Sequence, residues 1–397
     1  METFEAIKQF TPCFILDQHN LHSNITSFQN ALSHNWDNYT MGYSVKTNSL
    51  PYILKQMKDS GCFAEVVSDT EYKLALRTGF RPDQIIFNGP IKSKEQFDFA
   101  LKNHSVINID STRELDWLEE ADKWGIDLAV GIRVSFDLAA TCPGESSKDG
   151  LSNRFGFNLE NGYFEAALKR ILKLNHIRLS GLHMHTNSKS RLTDVFEQLA
   201  LKACEIAASY QLKLDYVDIG GSFFVKKGDF SAYETYAKAI AQKLGTYFSK
   251  DTTRLIVEPG AAVISTPVSY LTKVIDVKET YHDHFVITDG CRLHIDPFLR
   301  KTSLDYELFT SSSDIEPAQI ICGYSCMDAD RIMMLNDNKA LKNGDYIRYG
   351  CVGSYTMCFQ SLFIEYLPYV FVEHEDHTYE MIRDKWGIEE FLQKSVY

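Results

Sequence analysis

The segment YSVKTN contains a lysine, Lys46, whose surroundings could turn its amine into a nucleophile. It lies near the end of an apolar stretch, residues 39–47, that has the composition of a β-strand. A lysine inside an apolar strand loses hydration, which lowers its pKa and favours attack by the amine. Such an amine is suited to form a Schiff base with pyridoxal phosphate. The structural alternative is a lysine whose ammonium group reaches water at the end of a strand.

An acid, a glycine pair and a histidine follow later apolar runs in the same way. Glu258, in EPGAAV, could keep the ring nitrogen of pyridoxal phosphate protonated, as the electron-accepting role of that cofactor requires. Gly220 and Gly221, in DIGGS, would let backbone N–H groups approach a phosphate. His185, in HMHTNS, could stack on a pyridine ring. Each of these residues alone also fits an ordinary turn or core position, so it is their order along the chain that is specific.

A regular alternation of strands and helices positions these residues. The predicted strands are 39–47, 62–68, 85–90, 105–111, 127–135, 178–186, 216–221 and 254–260. Amphipathic segments lie between them, which favours parallel strands joined by right-handed crossovers. One such segment carries Leu192, Val195, Phe196, Leu199 and Ala203 on one helical face. Eight units predict a (β/α)8 TIM-like barrel over residues 30–261, with its active site at the C-terminal ends of the strands. A doubly wound open sheet is the alternative.

The pattern changes after Gly260, where strands are joined by turns and few helices are expected. We assign residues 1–29 and 262–397 to a second domain, a mostly antiparallel β domain that contributes to the active site of a dimer. The early run PCFILD, residues 12–17, is expected to pair into it. The loop 140–153 follows the fifth barrel strand, and is either a lid over the active site or a surface insertion.

Composition excludes several classes of protein. Lys and Arg total 41 against 53 Asp and Glu, and the net charge of -12 disfavours nucleic-acid binding. No apolar run is long enough to span a bilayer, and the first residues do not resemble a secretion signal, so no membrane association is expected. Nine scattered cysteines predict reduced thiols and a cytoplasmic location. Cys322 and Cys326 lack a second pair at zinc spacing, so we predict no metal site.

In chain order these motifs resemble the fold-type III pyridoxal-phosphate decarboxylases. That family includes diaminopimelate, eukaryotic-type ornithine and carboxynorspermidine decarboxylases, and shares its barrel with alanine racemase. The resemblance covers nearly the whole chain. It rests on PCFILD, YSVKTN, AEVVSDTE, NRFGF, HMHTNS, DIGGS, EPGAA, CGYSCMDAD and GSYT.

The resemblance implies a cofactor, a reaction and a set of residues. Pyridoxal 5'-phosphate would be bound to Lys46 as an internal aldimine, and an amino acid would be decarboxylated through a quinonoid intermediate. Cys326 would reach the active site of the neighbouring subunit of a homodimer and protonate the substrate. The residues implied to contact the cofactor are Glu65, Arg154, His185, Ser188, Gly220, Gly221, Ser222, Glu258, Gly260 and Tyr355.

Several residues depart from the pattern of the family. Ala261 replaces the arginine of E-P-G-R, and Asn187 and Ser222 replace glycines. Met327 stands where ornithine and diaminopimelate decarboxylases carry an acid for the distal amine. Asp296 falls about where diaminopimelate decarboxylases carry an arginine for the distal carboxylate. We therefore expect a substrate with an amine-bearing side chain or a polyamine-type tail, contacted by Asp296, Met327, Asp328 and Asp330.

Four other functions are compatible with parts of this pattern. The substrate could be diaminopimelate itself, despite the missing arginines. Racemisation on the same barrel would need a catalytic tyrosine from the partner subunit, and the Cys326 segment argues against it. A non-catalytic pyridoxal-phosphate carrier would resemble a bare barrel, without the residues after Gly260. A sugar-phosphate enzyme would use the GGS segment alone as its phosphate site.

Overall fold

The structure is a computed structural model that describes residues 2–145, 153–186 and 188–396. It divides into two compact units, one comprising Asn24–Ala262 and the other the described parts of Met1–Ser23 and Val263–Tyr397. The strands are β1 Cys13–Asp17, β2 Tyr39–Ser44, β3 Phe63–Ser68, β4 Ile85–Ile91, β5 Val106–Ile109, β6 Leu128–Ser135, β7 Phe157–Asn158, β8 Ile177–His183, β9 Tyr216–Asp218, β10 Arg254–Val257, β11 Val268–Glu279, β12 His284–Thr288, β13 Asp305–Phe309, β14 Ile315–Cys322, β15 Arg331–Lys339, β16 Tyr346–Gly350, β17 Tyr369–Glu373 and β18 Tyr379–Arg383. The α-helices are α1 Phe4–Ile7, α2 Gln18–Asn35, α3 Pro51–Asp59, α4 Asp69–Arg77, α5 Lys94–Lys102, α6 Thr112–Asp122, α7 Tyr163–Ile171, α8 Thr193–Ser209, α9 Ser231–Leu244, α10 Ala261–Ile264, α11 Arg292–Ile295 and α12 Ile388–Leu392.

Eight parallel strands of the Asn24–Ala262 unit close into a barrel. Their order is β2, β3, β4, β5, β6, β8, β9 and β10, and β10 pairs again with β2 in parallel. The two-residue strand β7 adds to β6 on the side of the ring. This confirms the predicted (β/α)8 barrel. The doubly wound alternative is wrong, because an open sheet would leave two edge strands.

The helices surround the barrel with one apolar face inward, and α8 shows how the sequence dictates this. Val195, Phe196, Leu199 and Ala203 are buried, as their spacing of three to four residues predicts. Leu192, which we placed on the same face, is instead exposed. Its extended backbone conformation precedes the first turn, so it lies outside the helix.

A tyrosine fills the centre of the barrel near the N-terminal ends of the strands. Tyr216 packs with Ile86 and Ile256. Glycines make room for it, since a Cβ at Gly131 would lie 2.1 Å from its hydroxyl and one at Gly181 would lie 2.2 Å from its ring. This end of the barrel is therefore packed, which leaves the opposite end for polar side chains.

The other unit is built on a nine-stranded sheet. Its main path runs β15, β14, β12, β11, β1, β17 and β18, while β16 pairs with β11 and β13. The early strand β1 lies inside this sheet, antiparallel to β11 and parallel to β17, so PCFILD joins it as predicted. The sheet is mixed rather than purely antiparallel, because β12 also pairs in parallel with β14. Strands β13, β17 and β18 were not predicted.

The loop at 140–153 is described only in part. Glu145 accepts a hydrogen bond from the backbone N–H of Ser190 at 3.0 Å. Residues 146–152 lie outside the described residues, so the role of this loop as a lid stays a prediction. No helix in the described ranges is both long and apolar enough to cross a membrane.

Candidate active site

Lys46 follows the first barrel strand and pairs with an acid. Strand β2 ends at Ser44, and Lys46 lies in a single 3₁₀ turn, Val45–Thr47. Its Nζ lies 2.7 Å from Glu65 Oε2 and 2.8 Å from Ser44 Oγ. The prediction that Lys46 sits inside an apolar strand is therefore wrong. Its side chain is 39% exposed, and the buried Glu65 defines its polar surroundings.

Glu65 and Glu258 are joined by an asparagine. Asn88 Nδ2 donates to Glu65 Oε1 at 3.2 Å and to Glu258 Oε1 at 2.6 Å. The Asn88 Oδ1 atom accepts from Asn108 Nδ2 at 2.9 Å, so the orientation of the amide is set from behind. The Tyr216 hydroxyl in turn donates to Asn108 Oδ1 at 2.8 Å. A continuous line of buried hydrogen bonds thus connects the Lys46 end of the site with Glu258.

Glu258 carries a negative charge in this arrangement. Burial alone would raise its pKa, but His183, Asp218 and Lys46 together hold that pKa well below its usual range. Burial, with the charge of Glu258 nearby, raises the pKa of Asp218 well above its usual range. The two buried acids therefore titrate as a pair, with the proton on Asp218 and the charge on Glu258.

Two histidines lie two residues apart where β8 ends. His183 is the last residue of the strand and is buried, whereas His185 is partly exposed. Their rings are nearly parallel, at 10°, with centroids 6.1 Å apart. His185 Nδ1 accepts a hydrogen bond from the Gly221 N–H at 3.2 Å. Desolvation, with Arg133 and His183 nearby, keeps the pKa of His185 well below its usual range, so this ring is neutral.

The predicted glycines allow close approach of the backbone to these side chains. Gly220 has φ +72°, and a Cβ there would lie 2.4 Å from His185 Cβ. A Cβ at Gly221 would lie 2.3 Å from the Glu258 carbonyl oxygen. A Cβ at Gly260 would lie 2.1 Å from Thr47 Oγ1. Ser222 adopts a positive φ of 79°, which is unusual for a residue with a side chain.

An arginine that the sequence analysis missed lies inside the barrel. Arg133, on β6, is buried with its guanidinium 4.6 Å from the Phe155 ring and 3.8 Å from Asp110. Burial lowers its pKa. The predicted Arg154 is exposed and stacks on the same ring at 4.2 Å. An arginine in the middle of the apolar run VGIRVS was the signal that could have identified Arg133.

Ser188, the remaining predicted residue of the barrel, makes a local hydrogen bond. Ser188 Oγ accepts a hydrogen bond from the backbone N–H of Arg191 at 3.1 Å. The preceding residue, Asn187, lies outside the described residues, so its replacement of a family glycine has no structural account.

The other unit carries the predicted residues of the C-terminal motifs. Cys326 and Asp328 are exposed, Met327 is half-buried, and Tyr355 is 37% exposed with φ +53°. Asp328 pairs with Arg331 at 2.7 Å. All four belong to the unit built on the nine-stranded sheet, and their roles at the active site stay predictions.

Asp296 and Asp330 are not free to meet a ligand in the way we expected. The Asp296 carboxylate is buried, pairs with Arg292 at 2.9 Å and accepts the backbone N–H groups of Arg300 and Lys301 at 3.0 Å. Asp330 is buried and accepts the N–H of Arg292 at 2.7 Å and that of Ser325 at 3.0 Å. Both acids therefore hold the backbone of their own loops.

One cluster also has the composition of a metal site. His183, Asp218 and Glu258 each offer one ligand atom, and these atoms all lie within 4.8 Å of one another. The sequence search for ligand spacing missed this set, because its members follow three different strands. A nitrogen and two carboxylate oxygens are donors that zinc accepts.

Comparison with known proteins agrees with this geometry. Residues 19–265 match the family described as pyridoxal-dependent decarboxylase, pyridoxal binding domain. A protein of Oryza sativa named probable diaminopimelate decarboxylase, chloroplastic, is 28% identical over 331 residues, which cover 81% of this chain and 66% of that protein. This chain thus spans about two thirds of the length of the rice protein.

Solved structures share the fold. The crystal structure of diaminopimelate decarboxylase from Methanocaldococcus jannaschii matches with a TM-score of 0.87 and 21% identity, covering 99% of this chain and 94% of that one. The crystal structure of the Paramecium bursaria Chlorella virus arginine decarboxylase matches with a TM-score of 0.76 and 21% identity, covering 93% and 97%.

Proposed function

Since this chain belongs to the family of pyridoxal-dependent decarboxylases, we propose that it decarboxylates a diamino acid of the diaminopimelate type. Membership of the family confirms the resemblance found in the sequence, the cofactor pyridoxal 5'-phosphate and the class of enzyme, a carboxy-lyase. It also removes the non-catalytic carrier and the sugar-phosphate enzyme as alternatives. What remains to be assigned is the substrate and the part that each residue plays.

The residues of the barrel fit the cofactor. Lys46 offers the amine for its covalent attachment, and the charged, buried Glu258 suits a protonated ring nitrogen. The neutral ring of His185 can lie flat on a pyridine, and the backbone at Gly220 and Gly221 has no room for a Cβ in the segment proposed to bind the phosphate. Bound there, pyridoxal phosphate supplies an electron sink for the carbanion left when CO2 departs.

The residues of the chain then have separate tasks. Glu258 keeps its negative charge at the buried end of the site, while Glu65 and Ser44 orient Lys46 Nζ. The observation that carries this assignment is the hydrogen-bond line from Lys46 through Glu65 and Asn88 to Glu258. Cys326 is the proposed acid that delivers its thiol proton to Cα of the substrate after CO2 loss.

The comparisons favour a diaminopimelate-type substrate over the amine-bearing tail that we predicted. Diaminopimelate decarboxylases recur among the relatives and the solved structures. Asp296 and Asp330, two of the acids on which the earlier prediction rested, instead make backbone hydrogen bonds and contact Arg292. The comparisons therefore support the diaminopimelate alternative better than the first expectation.

The turn after Asp296 offers cations for a distal carboxylate. Because Asp296 accepts the N–H groups of Arg300 and Lys301, it folds the backbone that carries both side chains. Arg300 is exposed, with its guanidinium 5.9 Å from the Phe298 ring. Arginine binds carboxylates through a planar fork of N–H groups. We assign Arg300 the role of the arginine that diaminopimelate decarboxylases carry near the position of Asp296 for the distal carboxylate.

A substrate with an amine-bearing tail is the second candidate. Its support is the virus arginine decarboxylase among the structural neighbours, the apolar Met327 and the exposed Asp328. Met327→Glu would supply the acid that this position lacks. We expect the variant to gain activity on ornithine or lysine relative to diaminopimelate, and an unchanged profile would place the specificity determinant elsewhere.

A homodimer and a cytoplasmic location complete the proposal. Three neighbouring aromatic side chains are exposed: Phe298 at 53%, Tyr355 at 37% and Phe359 at 49%. The ring centroid of Phe359 lies 5.1 Å from that of Phe298 and 6.2 Å from that of Tyr355. A second copy of this chain would cover these rings, with Cys326 of each subunit reaching the active site of the other. None of the nine cysteines, all of which lie within the described ranges, forms a disulfide, as suits a reducing compartment.

The decisive experiment is a decarboxylation panel with purified enzyme. Diaminopimelate, ornithine, lysine, arginine and carboxypolyamines are supplied singly, and CO2 release is measured. We expect CO2 from diaminopimelate, and release only from the amine-tailed substrates would establish the second candidate. Inversion of one enantiomer without gas would establish the racemase.

The attachment of the cofactor is tested in the same preparation. Borohydride reduction followed by peptide mapping should locate the cofactor on Lys46, and Lys46→Ala should lose both the label and the visible absorbance. Lys342→Ala changes an exposed lysine and is the control. Labelling of a different lysine would overturn the assignment.

A further inference from the structure

His183 is a buried imidazole without a hydrogen-bond partner. Its side chain is 2% exposed, and neither ring nitrogen makes a hydrogen bond with any of the described residues. Buried polar side chains in folded proteins nearly always have partners, so an exception calls for a reason. Neither the covalent chemistry of Lys46 nor the stacking role of His185 provides one.

The surroundings of His183 point to Glu258. His183 Nε2 lies 3.4 Å from Glu258 Oε2, which is longer than a full hydrogen bond but within the range of an ion pair. The other oxygen, Oε1, is already bound by Asn88 at 2.6 Å. Each oxygen of the carboxylate therefore faces a different neighbour, and His183 is the neighbour of Oε2.

The other charged groups around His183 come from adjacent strands. Asp218 ends β9 and belongs to the same cluster as Glu258. Arg133 is directly opposite His183 in the pairing of β6 with β8, and His185 stacks beside it. Among these groups His183 is suited to contact Glu258, because Asp218 bonds the Gly220 N–H at 2.8 Å and Arg133 lies against Asp110.

We propose that His183 is a positioning residue that holds the Glu258 carboxylate in one orientation, and so acts on the ring nitrogen of the cofactor through Glu258. The inference rests on the proposed role of Glu258. It also gives both histidines of HMH a role, since their rings lie nearly parallel with centroids 6.1 Å apart. His185 would contact the cofactor, and His183 supports Glu258.

The test compares two cofactors on the apoprotein. One is pyridoxal phosphate and the other its 1-deaza analogue, in which carbon replaces the ring nitrogen. His183→Phe keeps a planar ring without an N–H, whereas His183→Gln keeps an N–H donor. We expect His183→Phe to weaken the binding of pyridoxal phosphate by about tenfold, because Glu258 loses the neighbour of its Oε2 atom, and to change the affinity of the analogue by less than about twofold. His183→Gln, which keeps a donor, should bind pyridoxal phosphate nearly as tightly as the wild-type protein does.

Tyr72→Phe is the matched control. It removes one buried hydroxyl from the same unit, and Tyr72 hydrogen-bonds Ser105 rather than any residue of the line that leads to Glu258. We expect this variant to leave the affinities of both cofactors unchanged within about twofold. The thermal unfolding of each apoprotein is measured first, and His183→Leu replaces the phenylalanine variant if that variant does not fold.

Three results would overturn the proposal. If His183→Phe loses affinity for both cofactors equally, His183 has only a packing role. If His183→Gln loses as much affinity for pyridoxal phosphate as His183→Phe does, the N–H donor is irrelevant. A stoichiometric metal in the wild-type protein that is absent from His183→Gln would mean that the cluster is a metal site. Failure of the wild-type apoprotein to bind pyridoxal phosphate would instead overturn the proposed function.

Discussion

Glu65 and Glu258 accept hydrogen bonds from one and the same nitrogen, Asn88 Nδ2. These acids follow or lie on strands β3 and β10, and 193 residues separate them in the chain. Glu65 contacts the Lys46 amine, the proposed attachment point of the cofactor, and Glu258 is the proposed partner of its ring nitrogen. Asn88 therefore places the two ends of the site in one rigid hydrogen-bonded unit.

Asn88→Asp should disrupt this unit. The change removes two N–H donors and introduces a third acid between two buried ones, which costs about 1–3 kcal/mol in unsatisfied or repelling groups. We expect the affinity for pyridoxal phosphate, measured by titration of the apoprotein, to fall by at least about tenfold. Asn103→Asp, at an exposed residue, is the control. Equal affinities in the two variants would show that Asn88 does not order the site.

Gly220→Ala should damage the site more than its backbone strain explains. Gly220 and Gly125 both have positive φ, +72° and +69°, so alanine costs about 1–2 kcal/mol at either position. At Gly125 nothing lies within 4 Å of the added Cβ, whereas at Gly220 it meets His185. We expect similar losses of stability from the backbone in both variants, but a loss of cofactor affinity only in Gly220→Ala. Unchanged affinity in that variant would contradict the close approach to His185.

The stability of the unit built on the nine-stranded sheet should depend on His294 at acidic pH. Burial lowers the pKa of His294 to about 4, and its Nδ1 lies 2.6 Å from the Tyr270 hydroxyl. The unfolded chain takes up a proton near pH 6.5, so this stability is present above that pH and is lost as the pH falls towards 4. The loss amounts to about 3 kcal/mol.

Urea unfolding of wild type and His294→Gln between pH 7 and pH 4 checks this prediction. The difference in unfolding free energy should shift by about 3 kcal/mol in favour of the variant as the pH falls. His377→Gln, which removes an exposed histidine, is the control. Parallel profiles for wild type and His294→Gln would show that His294 is not the source.

Arg300→Gln should raise the KM for diaminopimelate. If Arg300 binds the distal carboxylate, its loss removes a charge-assisted pair of hydrogen bonds, about 1.5–3 kcal/mol or a tenfold to hundredfold change. The inhibition constant of lysine, the product, which has no distal carboxylate, should not change. Arg331→Gln, which breaks a surface pair with Asp328, is the control. A parallel rise in the two constants would remove Arg300 from the substrate site.

The barrel could be predicted because its signal is local. Each of its eight main strands is a short apolar run followed by an amphipathic segment, and the observed bounds differ from the predicted ones mostly at the ends. The departure at Lys46 has a local cause as well. The residues Val45–Thr47 form a tight turn after β2, and a strand pattern in sequence does not distinguish the last strand residues from such a turn.

The polar interior of the site could not be predicted in the same way. Asn88, Asn108 and Asp218 follow or belong to strands that meet only because the barrel closes with one register. Nothing in their separate segments specifies that Asn108 lies behind Asn88. The segment HMHTNS contains His183, but only His185 was predicted as a site residue. The neighbour of His183, Glu258, follows a strand about 75 residues further along the chain, and the sequence does not indicate that the two meet.

Asp296 and Asp330 show a different limit. Both lie in motifs that resemble substrate-binding segments, and the resemblance alone assigned them to the substrate. Their burial and their bonds to backbone N–H groups depend on the local turns. For example, a Cβ at residue 323 would lie 2.4 Å from the Asp330 carboxylate, so the carboxylate fits there only because that residue is Gly323. An acid in a functional motif can therefore serve the shape of the loop instead of the ligand.

The place of β1 has a consequence for biosynthesis. Cys13 aligns with Leu271 on one side and with Tyr369 on the other, so this strand leaves the ribosome roughly 350 residues before its second neighbour. During that interval the whole of Asn24–Ala262 is translated, and β1 has an unpaired backbone edge. One edge of β1 therefore stays without its native partner until β17 has been translated, and an unpaired strand edge can pair with another chain.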